Sequence, residues 1–314
     1  MDSREYIVPK DLNGARVDKA ALTLATNVSR AQMKRAIADG AVRVNGKRRP
    51  KGAAVVEGDV ISILSDAVAE RTLPAVPEPS ALLRVVFESA AVLVVDKPAG
   101  QPSAPLLDGE TGTLANALVG HYPELAEVGY TPREPGLLHR LDTDTSGLLV
   151  VARTVDAFER LKLGLKADRL HKSYHLVCRA EDLPDRGSIE FPIASHPKDQ
   201  RRVYACVHPR DVARYSPRPA KTEYETERRG PLWALVRVEV ARALRHQIRV
   251  HFAAIEHPLA GDILYGGRPV SLGHHALHAS RVSFDDDSLR FDVTSDVPAA
   301  MSLLLDEVIA SNLT

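Results

Sequence analysis

The segment from His139 to Arg153 combines residues that could do chemistry with an abrupt change in polarity. Charged and hydroxyl side chains fill its first half, and the apolar run Leu148–Val151 follows directly. Such a junction holds polar groups at the rim of a hydrophobic core, where a carboxylate can be fixed and partly desolvated. Asp142 and Asp144 are therefore candidates for acid–base, nucleophilic or electrostatic roles.

Three structural explanations compete with a catalytic one. Either aspartate could cap a helix or stabilise a turn, as most aspartates in such loops do. The D-x-D-x-S-G spacing is similar to the start of an EF-hand calcium loop, but Arg153 stands where that loop needs a bidentate glutamate. Arg140 and Asp142 could also form a surface ion pair of little consequence. Spacing alone leaves these alternatives open.

The composition is that of an ordinary soluble globular protein. The chain has 314 residues, of which 44% are hydrophobic and 26% charged, so we expect two domains. Cys178 and Cys206 are too few for a disulfide framework, and their spacing suits no zinc site. The sequence lacks a signal peptide and any apolar run of about 18 residues. We therefore expect a cytoplasmic protein without membrane contact.

The net charge is zero, but the charges are unevenly distributed. Residues 1–64 hold 12 basic and 7 acidic side chains, whereas residues 285–314 hold 1 basic and 7 acidic. Phosphate contacts act within about a Debye length, roughly 8–10 Å, so a nucleic-acid partner requires local rather than global positive charge. The distribution permits RNA binding without proving it.

Residues 1–64 have the pattern of a small α+β unit. Apolar spacing predicts a helix over Val17–Ala25. Ser29 as N-cap and Gly40 as C-cap predict a second helix over Arg30–Asp39. Alternation over Ala41–Val44 and the following Asn-Gly pair predict a hairpin, and a further strand is expected near residues 60–63.

The remainder divides into a linker, a large domain and a tail. Residues 65–82 are rich in proline and alanine without apolar periodicity, which is typical of a semi-rigid linker. In residues 83–290, strand-like and helix-like segments intermix without a βαβ rhythm, which favours an α+β fold. Residues 291–314 are expected to form a C-terminal tail with a short amphipathic helix.

The stretch His139–Leu148 is very similar to the active-site motif of the RluA/RluD-like pseudouridine synthases, H-R-L-D-x-x-T-S-G-L. Three further stretches resemble that family in the same order, at residues 94–100, 172–174 and 246–266. The resemblance implies an α+β catalytic domain with a long, mixed, mainly antiparallel sheet, flanking helices and a central cleft. It also implies an isomerase that converts uridine into pseudouridine within structured ribosomal or transfer RNA.

The resemblance assigns roles to four residues. Asp142 would be the essential carboxylate, and Arg249 would pair with it. Tyr174 would lie against the target uracil, and Arg140 would enter the RNA and fill the space that the uridine vacates. The family's chemistry implies no cofactor and no metal, and no glycine-rich phosphate loop occurs in the sequence.

Residues 1–64 resemble the small RNA-binding module named the S-four domain, after a ribosomal small-subunit protein. The similar residues are 16–18, 29–32, Ile37, Gly40, Val42, 44–47 and 58–59. Basic side chains on the second helix and the hairpin would form one face that tracks phosphates. These candidate RNA-binding residues are Arg30, Lys34, Arg35, Arg43, Lys47, Arg48 and Arg49.

One segment departs from the family, because Ala243-Leu244-Arg245 replaces the usual Gly-Arg-Thr or Gly-Arg-Ser before His-Gln. This departure keeps open a catalytically degenerate RNA-binding protein as the alternative, and a nucleoside hydrolase is a third possibility. His274, His275 and His278 are spaced like metal ligands, but no carboxylate or cysteine stands at a familiar distance. We expect a monomer, since no dimerising stripe occurs.

Overall fold

A computed structural model describes residues 3–25, 28, 30–64, 73–240 and 243–307. The chain divides into two compact units, Met1–Thr72 and Leu73–Thr314. The predicted linker, 65–82, falls partly on residues 65–72, which lie outside the described residues. Residues 73–82 instead contact the second unit: Ala75 is buried in its core and donates its amide N–H to Pro132. The second unit therefore begins about ten residues earlier than predicted.

The first unit contains a four-stranded antiparallel sheet and two helices. The strands are β1 (Ser3–Ile7), β2 (Val42–Val44), β3 (Lys47–Arg48) and β4 (Val60–Leu64), and the helices are α1 (Val17–Leu24) and α2 (Arg30–Ala38). The strand order is β1-β4-β2-β3. Asn45 and Gly46 both have positive φ, 51° and 74°, as the hairpin turn between β2 and β3 requires.

Most elements of this unit agree with the sequence pattern. Both helices begin at the predicted residues, and Gly40 follows α2 with φ 72°. The predicted N-cap, Ser29, lies outside the described residues. β1 was not predicted, because Ser3–Ile7 is a polar edge strand whose side chains are exposed or half-buried and carries no alternating apolar signal.

The second unit is built on one long mixed sheet with flanking helices. Its strands are β5 (Val85–Glu88), β6 (Val92–Lys97), β7 (Ser146–Ala152), β8 (Leu170–Arg179), β9 (Arg186–Ile189), β10 (Ile193–Ser195), β11 (Val203–Ala205), β12 (Thr222–Arg229), β13 (Trp233–Glu239), β14 (Leu277–Asp285) and β15 (Arg290–Thr294). Its helices are α3 (Leu114–His121), α4 (Val155–Lys166), α5 (Pro209–Tyr215), α6 (Gln247–Ala254) and α7 (Ala299–Leu303).

The sheet order is β5-β6-β7-β14-β8-β13-β12-β9, with β15 beside β14 and a separate β10–β11 hairpin. Among the described strands, every pair is antiparallel except β7 with β14. β6 and β7 are nearly continuous apolar runs, because both faces of the sheet are covered there. The mixed, mainly antiparallel sheet confirms the predicted fold class.

The flanking helices are positioned by local signals and by apolar faces. The Thr113 hydroxyl accepts from the Asn116 amide, and the Asn116 side chain accepts from the Thr113 amide, which completes a capping box at the start of α3. Phe158 and Leu161 of α4 are buried in the same cluster as Leu148 and Val150 of β7. No described helix has both the length and the apolar character needed to cross a bilayer.

The C-terminal segment differs from the predicted tail. Residues 291–294 belong to β15 and extend the sheet, so the catalytic fold continues past residue 290. The helix α7 is only five residues long, and its Met301 is buried beside Trp233 of β13. Residues 308–314 of the predicted tail lie outside the described residues.

Candidate active site

Sheet register brings three of the four motif stretches, those at residues 94–100, 139–148 and 172–174, to one place through β14. Lys97 of β6 pairs with Gly147 of β7, Gly147 pairs with Ala279 of β14, and Ala279 pairs with Tyr174 of β8. A Cβ on Gly147 would lie 2.3 Å from the Ala279 carbonyl oxygen, and its φ is 109°. Only glycine fits this crossing. The glycine of the T-S-G sequence therefore allows the strands that carry the site to meet.

The loop that precedes β7 holds Asp142 at the centre of the site. The Ser103 hydroxyl donates to the Leu141 carbonyl at 2.8 Å and accepts from the Leu141 amide at 3.1 Å. The Thr145 amide donates to the Asp142 carbonyl at 3.0 Å, which closes a turn. Because the backbone is fixed on both sides of Asp142, its carboxylate has a defined direction.

Asp142 faces a guanidinium group that a second aspartate holds. Arg249 of α6 donates Nη1 to Asp142 Oδ2 at 2.9 Å, the contact that the resemblance implies. Its other donors, Nε and Nη2, reach the two oxygens of Asp262 at 2.7 and 2.8 Å. The Asp142 side chain is 23% exposed and that of Asp262 only 1%. Arg249 therefore spans a buried structural carboxylate and a cleft-facing one.

Arg249 and its two acidic partners, Asp142 and Asp262, form a triad in which the positive group lies between two carboxyl groups. Burial lowers the pKa of Arg249, but the hydrogen bonds and charges of Asp262 and Asp142 raise it by more. The guanidinium group consequently stays protonated, and its positive charge faces the Asp142 carboxylate in the cleft wall.

Tyr265 and His246 lie beside Arg249 and Asp142. The Arg249 guanidinium lies 5.2 Å from the centre of the Tyr265 ring. The Tyr265 hydroxyl bonds to His246 Nδ1 at 2.9 Å and accepts from the Val203 amide. His246 Nε2 is 3.6 Å from Asp142 Oδ2, beyond hydrogen-bond reach. Burial lowers the pKa of His246, so Asp142 has a mainly neutral neighbour on that side.

Tyr174 lies in the wall of the same cleft and is 4% exposed. Burial raises the pKa of the Tyr174 phenol, and the negative charge of Asp142 raises it further. The hydroxyl therefore stays protonated at ordinary pH, which makes Tyr174 unsuited to act as a phenolate base. An aromatic face in a cleft wall is suited to stacking on a nucleobase.

Lys97 links residues 97–101 to the loop that carries Asp142. Its ammonium group donates to the carbonyl oxygens of Pro98, Gln101 and Thr143 at 2.8, 2.7 and 2.9 Å. Burial lowers the pKa of Lys97 to about 8, against the opposing charges of Asp144 and Asp142. The family resemblance at residues 94–100 assigned no role to this lysine.

The cleft has a volume of about 1140 Å³. Arg140 lies at its rim with 59% of its side chain exposed and forms an ion pair with Glu134 at 3.1 Å. Further cleft-lining residues with basic side chains are Lys166, Lys172, Arg218, Arg245 and Arg249. The cleft is large enough for a nucleotide and suited by charge to a polyanion.

The three histidines near β14 form hydrogen bonds within the protein. His275 Nε2 bonds to the Thr145 hydroxyl and His278 Nδ1 to the Ser146 hydroxyl, each at 2.8 Å. His274 Nδ1 bonds to the backbone carbonyl of His275. Within the described ranges, no group of three histidine, cysteine or acidic residues is placed to hold a metal ion. His275 and His278 therefore join the segment around the start of β14 to the start of β7.

The segment that departs from the family contacts the turn before β11. Arg245 donates to the backbone carbonyls of Gln200 and Arg201 at 3.0 and 2.6 Å. The Leu244 amide donates to Gln247 at the start of α6. Arg245 thus performs a local structural task, and Asp142, Arg249 and Tyr174 converge in spite of the departure.

In the first unit, the predicted basic residues are exposed wherever their side chains are described. Lys34 and Arg35 extend from α2, and Arg43 pairs directly with Arg48 across the hairpin. Arg48 also donates to the Asp39 carbonyl at the end of α2, which brings the hairpin and the helix together. Lys47 and Arg49 are exposed, and the side chain of Arg30 lies outside the described part of the chain.

Comparisons with known proteins show the family to which the chain belongs. The sequence model of the RNA pseudouridylate synthase family matches residues 91–254, more than half of the chain. The chain therefore belongs to the RNA pseudouridylate synthase family, and it is an isomerase that forms pseudouridine in RNA.

Several curated relatives are ribosomal large subunit pseudouridine synthases D. The protein of Yersinia pestis is 37% identical over 82% of this chain and 74% of its own length. That of Neisseria meningitidis serogroup A is 35% identical over 93% of this chain and 77% of its own length. The solved structure of human RNA pseudouridylate synthase domain containing 1 has a TM-score of 0.57 and 25% identity, over 72% of this chain and 89% of that chain.

Proposed function

We propose that this enzyme modifies a uridine in a structured region of large-subunit ribosomal RNA, with Asp142 as the essential carboxylate. The names of the relatives support the choice of RNA. The observation that carries the catalytic assignment is the position of Asp142, whose Oδ2 lies 2.9 Å from Arg249 Nη1 in a cleft that Tyr174 also lines.

The isomerisation breaks the N1–C1′ glycosidic bond, rotates the uracil and forms a C5–C1′ bond. The proton on C5 is lost and N1 gains one, so the reaction needs neither oxidant nor energy source. Cleavage builds positive charge at C1′, which a nearby carboxylate stabilises or traps, as glycosidase carboxylates do. Asp142 fits this role because Arg249 holds its carboxylate in the cleft by a charge-assisted hydrogen bond.

The uridine must leave its stack to reach Asp142, at a cost of a few kcal/mol. Tyr174 offers the unstacked uracil an aromatic surface, which offsets about 1–3 kcal/mol of that cost. Arg140, exposed at the rim, would enter the vacated position. This movement breaks its partly exposed ion pair with Glu134, which costs little free energy.

We further propose that the first unit binds RNA through the exposed basic side chains of α2 and the hairpin. Those residues are Arg30, Lys34, Arg35, Arg43, Lys47, Arg48 and Arg49. Phosphate contacts of this kind add affinity without base specificity, so the catalytic unit would choose the uridine. In this account the protein is a cytoplasmic monomer.

The test uses transcripts of large-subunit ribosomal RNA, small-subunit ribosomal RNA and transfer RNA, each carrying tritium at C5 of uridine. Tritium is released when C5 bonds to C1′, so release reports the isomerisation itself. We expect stoichiometric release from the large-subunit transcript alone and pseudouridine in its digest. Release from only the other transcripts would contradict the proposed substrate, free uracil would indicate hydrolysis, and no reaction would favour a binding protein.

A further inference from the structure

Lys172 is a buried lysine of the cleft wall to which the mechanism above assigns no role. It is 5% exposed, lies on β8 and lines the cleft together with Tyr174. Lys97, equally buried, donates to three carbonyl oxygens. Within the described ranges, by contrast, the Lys172 ammonium group has neither a hydrogen bond nor an ion pair.

The surroundings of Lys172 leave its positive charge incompletely compensated. Burial lowers its pKa to about 8, and the charge of Asp168 opposes this only in part. Its charge also adds to the burial that lowers the pKa of His139, which lines the same cleft. A largely buried ammonium group that meets only one opposing charge is costly, so it is usually retained where a ligand supplies a further anion.

The position of Lys172 relative to Tyr174 indicates which anion fits. Residues two apart on a strand point to the same side and are roughly 7 Å apart. In a nucleotide, the phosphate is separated from the base by the ribose, a comparable distance. A uridine whose base stacks on Tyr174 can therefore place a flanking phosphate near the Lys172 ammonium group.

We propose that Lys172 binds a backbone phosphate that adjoins the target uridine, and so holds the extruded nucleotide while Asp142 acts at C1′. This inference rests on the proposed function, because it places the uridine against Tyr174. The ligand class is an RNA phosphodiester, and the contact is a charge-assisted hydrogen bond.

The test is a double-mutant cycle that combines a change at Lys172 with a change at one RNA phosphate. The probe is a synthetic stem-loop carrying the uridine at which the wild-type enzyme releases tritium. It is made with ordinary phosphates, or with an uncharged methylphosphonate on the 5′ or the 3′ side of that uridine. Binding is measured for the wild type, Lys172→Met and Lys172→Arg. Lys162→Met, which removes an α4 lysine paired with Glu159, is the control.

Lys172→Met should weaken binding of the ordinary stem-loop about tenfold, and Lys172→Arg should restore part of the loss. One of the two methylphosphonates should weaken wild-type binding by a similar factor, and Lys172→Met should then cause no further loss. If Lys172→Met and each of the two methylphosphonates weaken binding independently, so that their fold-losses multiply, the proposal is overturned. If Lys172→Met does not fold, Lys172→Gln replaces it in the same cycle.

The proposed function and this inference fail differently. A wild-type enzyme that binds the stem-loop without releasing tritium contradicts the proposed substrate, whatever Lys172 does. A wild-type enzyme that releases tritium while the cycle shows no coupling contradicts only the role of Lys172.

Discussion

At the scale of single residues, the site depends on how Arg249 divides its donors between two carboxylates. Two of its nitrogens are committed to Asp262, which is 1% exposed, and a third faces Asp142. Asp262 can do this because it follows Gly261, whose φ of 77° turns the chain at that point. The buried aspartate thus determines where the guanidinium group points, and through it the direction of Asp142.

We predict that Asp262→Asn destabilises the protein by about 3–5 kcal/mol, because the change leaves a buried guanidinium group without its main counter-charge. Urea unfolding measures the loss. Asp285→Asn removes an exposed partner of Arg290 and is the matched control, with an expected cost of about 0–1 kcal/mol. Equal costs for both variants would show that the Arg249–Asp262 pair is not the structural support described above.

Sequence reasoning identified Asp142, Tyr174 and Arg249 through the family resemblance, and the structure brings all three to one cleft. It missed the role of Asp262, although that residue stands in a stretch that resembles the family. The reason is physical: a carboxylate that supports a second residue has no local pattern of its own. Its role becomes visible only when the fold brings residues 249 and 262 together.

At the scale of elements, the loop with Asp142 is held by strand ends rather than by its own sequence. β6 ends at Lys97, whose ammonium group donates to three carbonyls, one of which belongs to Thr143 in that loop. Gly147 allows β7 to approach β14 closely. The sequence pattern did not predict the parallel β7–β14 contact, since strand partners distant in sequence leave no periodic signal.

We predict that the rate of pseudouridine formation falls as the pH rises through about 8, the pKa to which burial lowers Lys97. Below that pH the ammonium group has three N–H donors for three carbonyls. Above it the neutral amine has only two, so one of the three hydrogen bonds that hold the Asp142 loop and the neighbouring turn together is lost.

Single-turnover rates between about pH 6.5 and 9.5 test this dependence. Lys172→Arg is the control, since it keeps a fixed charge at Lys172, a cleft lysine whose pKa burial also lowers to about 8. The decline should persist in that variant. A rate that stays level or rises up to the highest pH would exclude the Lys97 tie as a determinant of activity.

At the scale of the whole molecule, the two compact units differ in their surface properties. The first carries exposed basic side chains on a helix and a hairpin, and the second carries the cleft. The unit boundary was predicted too late in the sequence, because residues 73–82 have a linker-like composition yet pack on the second unit. Composition alone does not reveal packing of this kind.

We predict that replacing Arg43, Lys47 and Arg49 together by serine weakens RNA binding without changing which uridine is modified. The logarithmic salt dependence of binding should become shallower by about 2–3, one step of roughly 0.7–0.9 for each lost phosphate contact.

The control replaces three exposed arginines of the second unit that already have acidic partners, namely Arg179, Arg186 and Arg290. It removes the same net charge and should leave the salt dependence nearly unchanged. Equal effects of the two triple variants would mean that only overall charge matters, and the first unit would then have no specific binding face.

The central claim is that the Asp142 carboxylate performs the chemistry, and Asp142→Asn tests it most directly. Asparagine keeps the size of the side chain but removes its charge, and Asp144→Asn makes the same change at an exposed position two residues away. Tritium release from large-subunit ribosomal RNA should be abolished in Asp142→Asn and largely retained in Asp144→Asn, while both bind the RNA. Substantial turnover by Asp142→Asn would contradict the account.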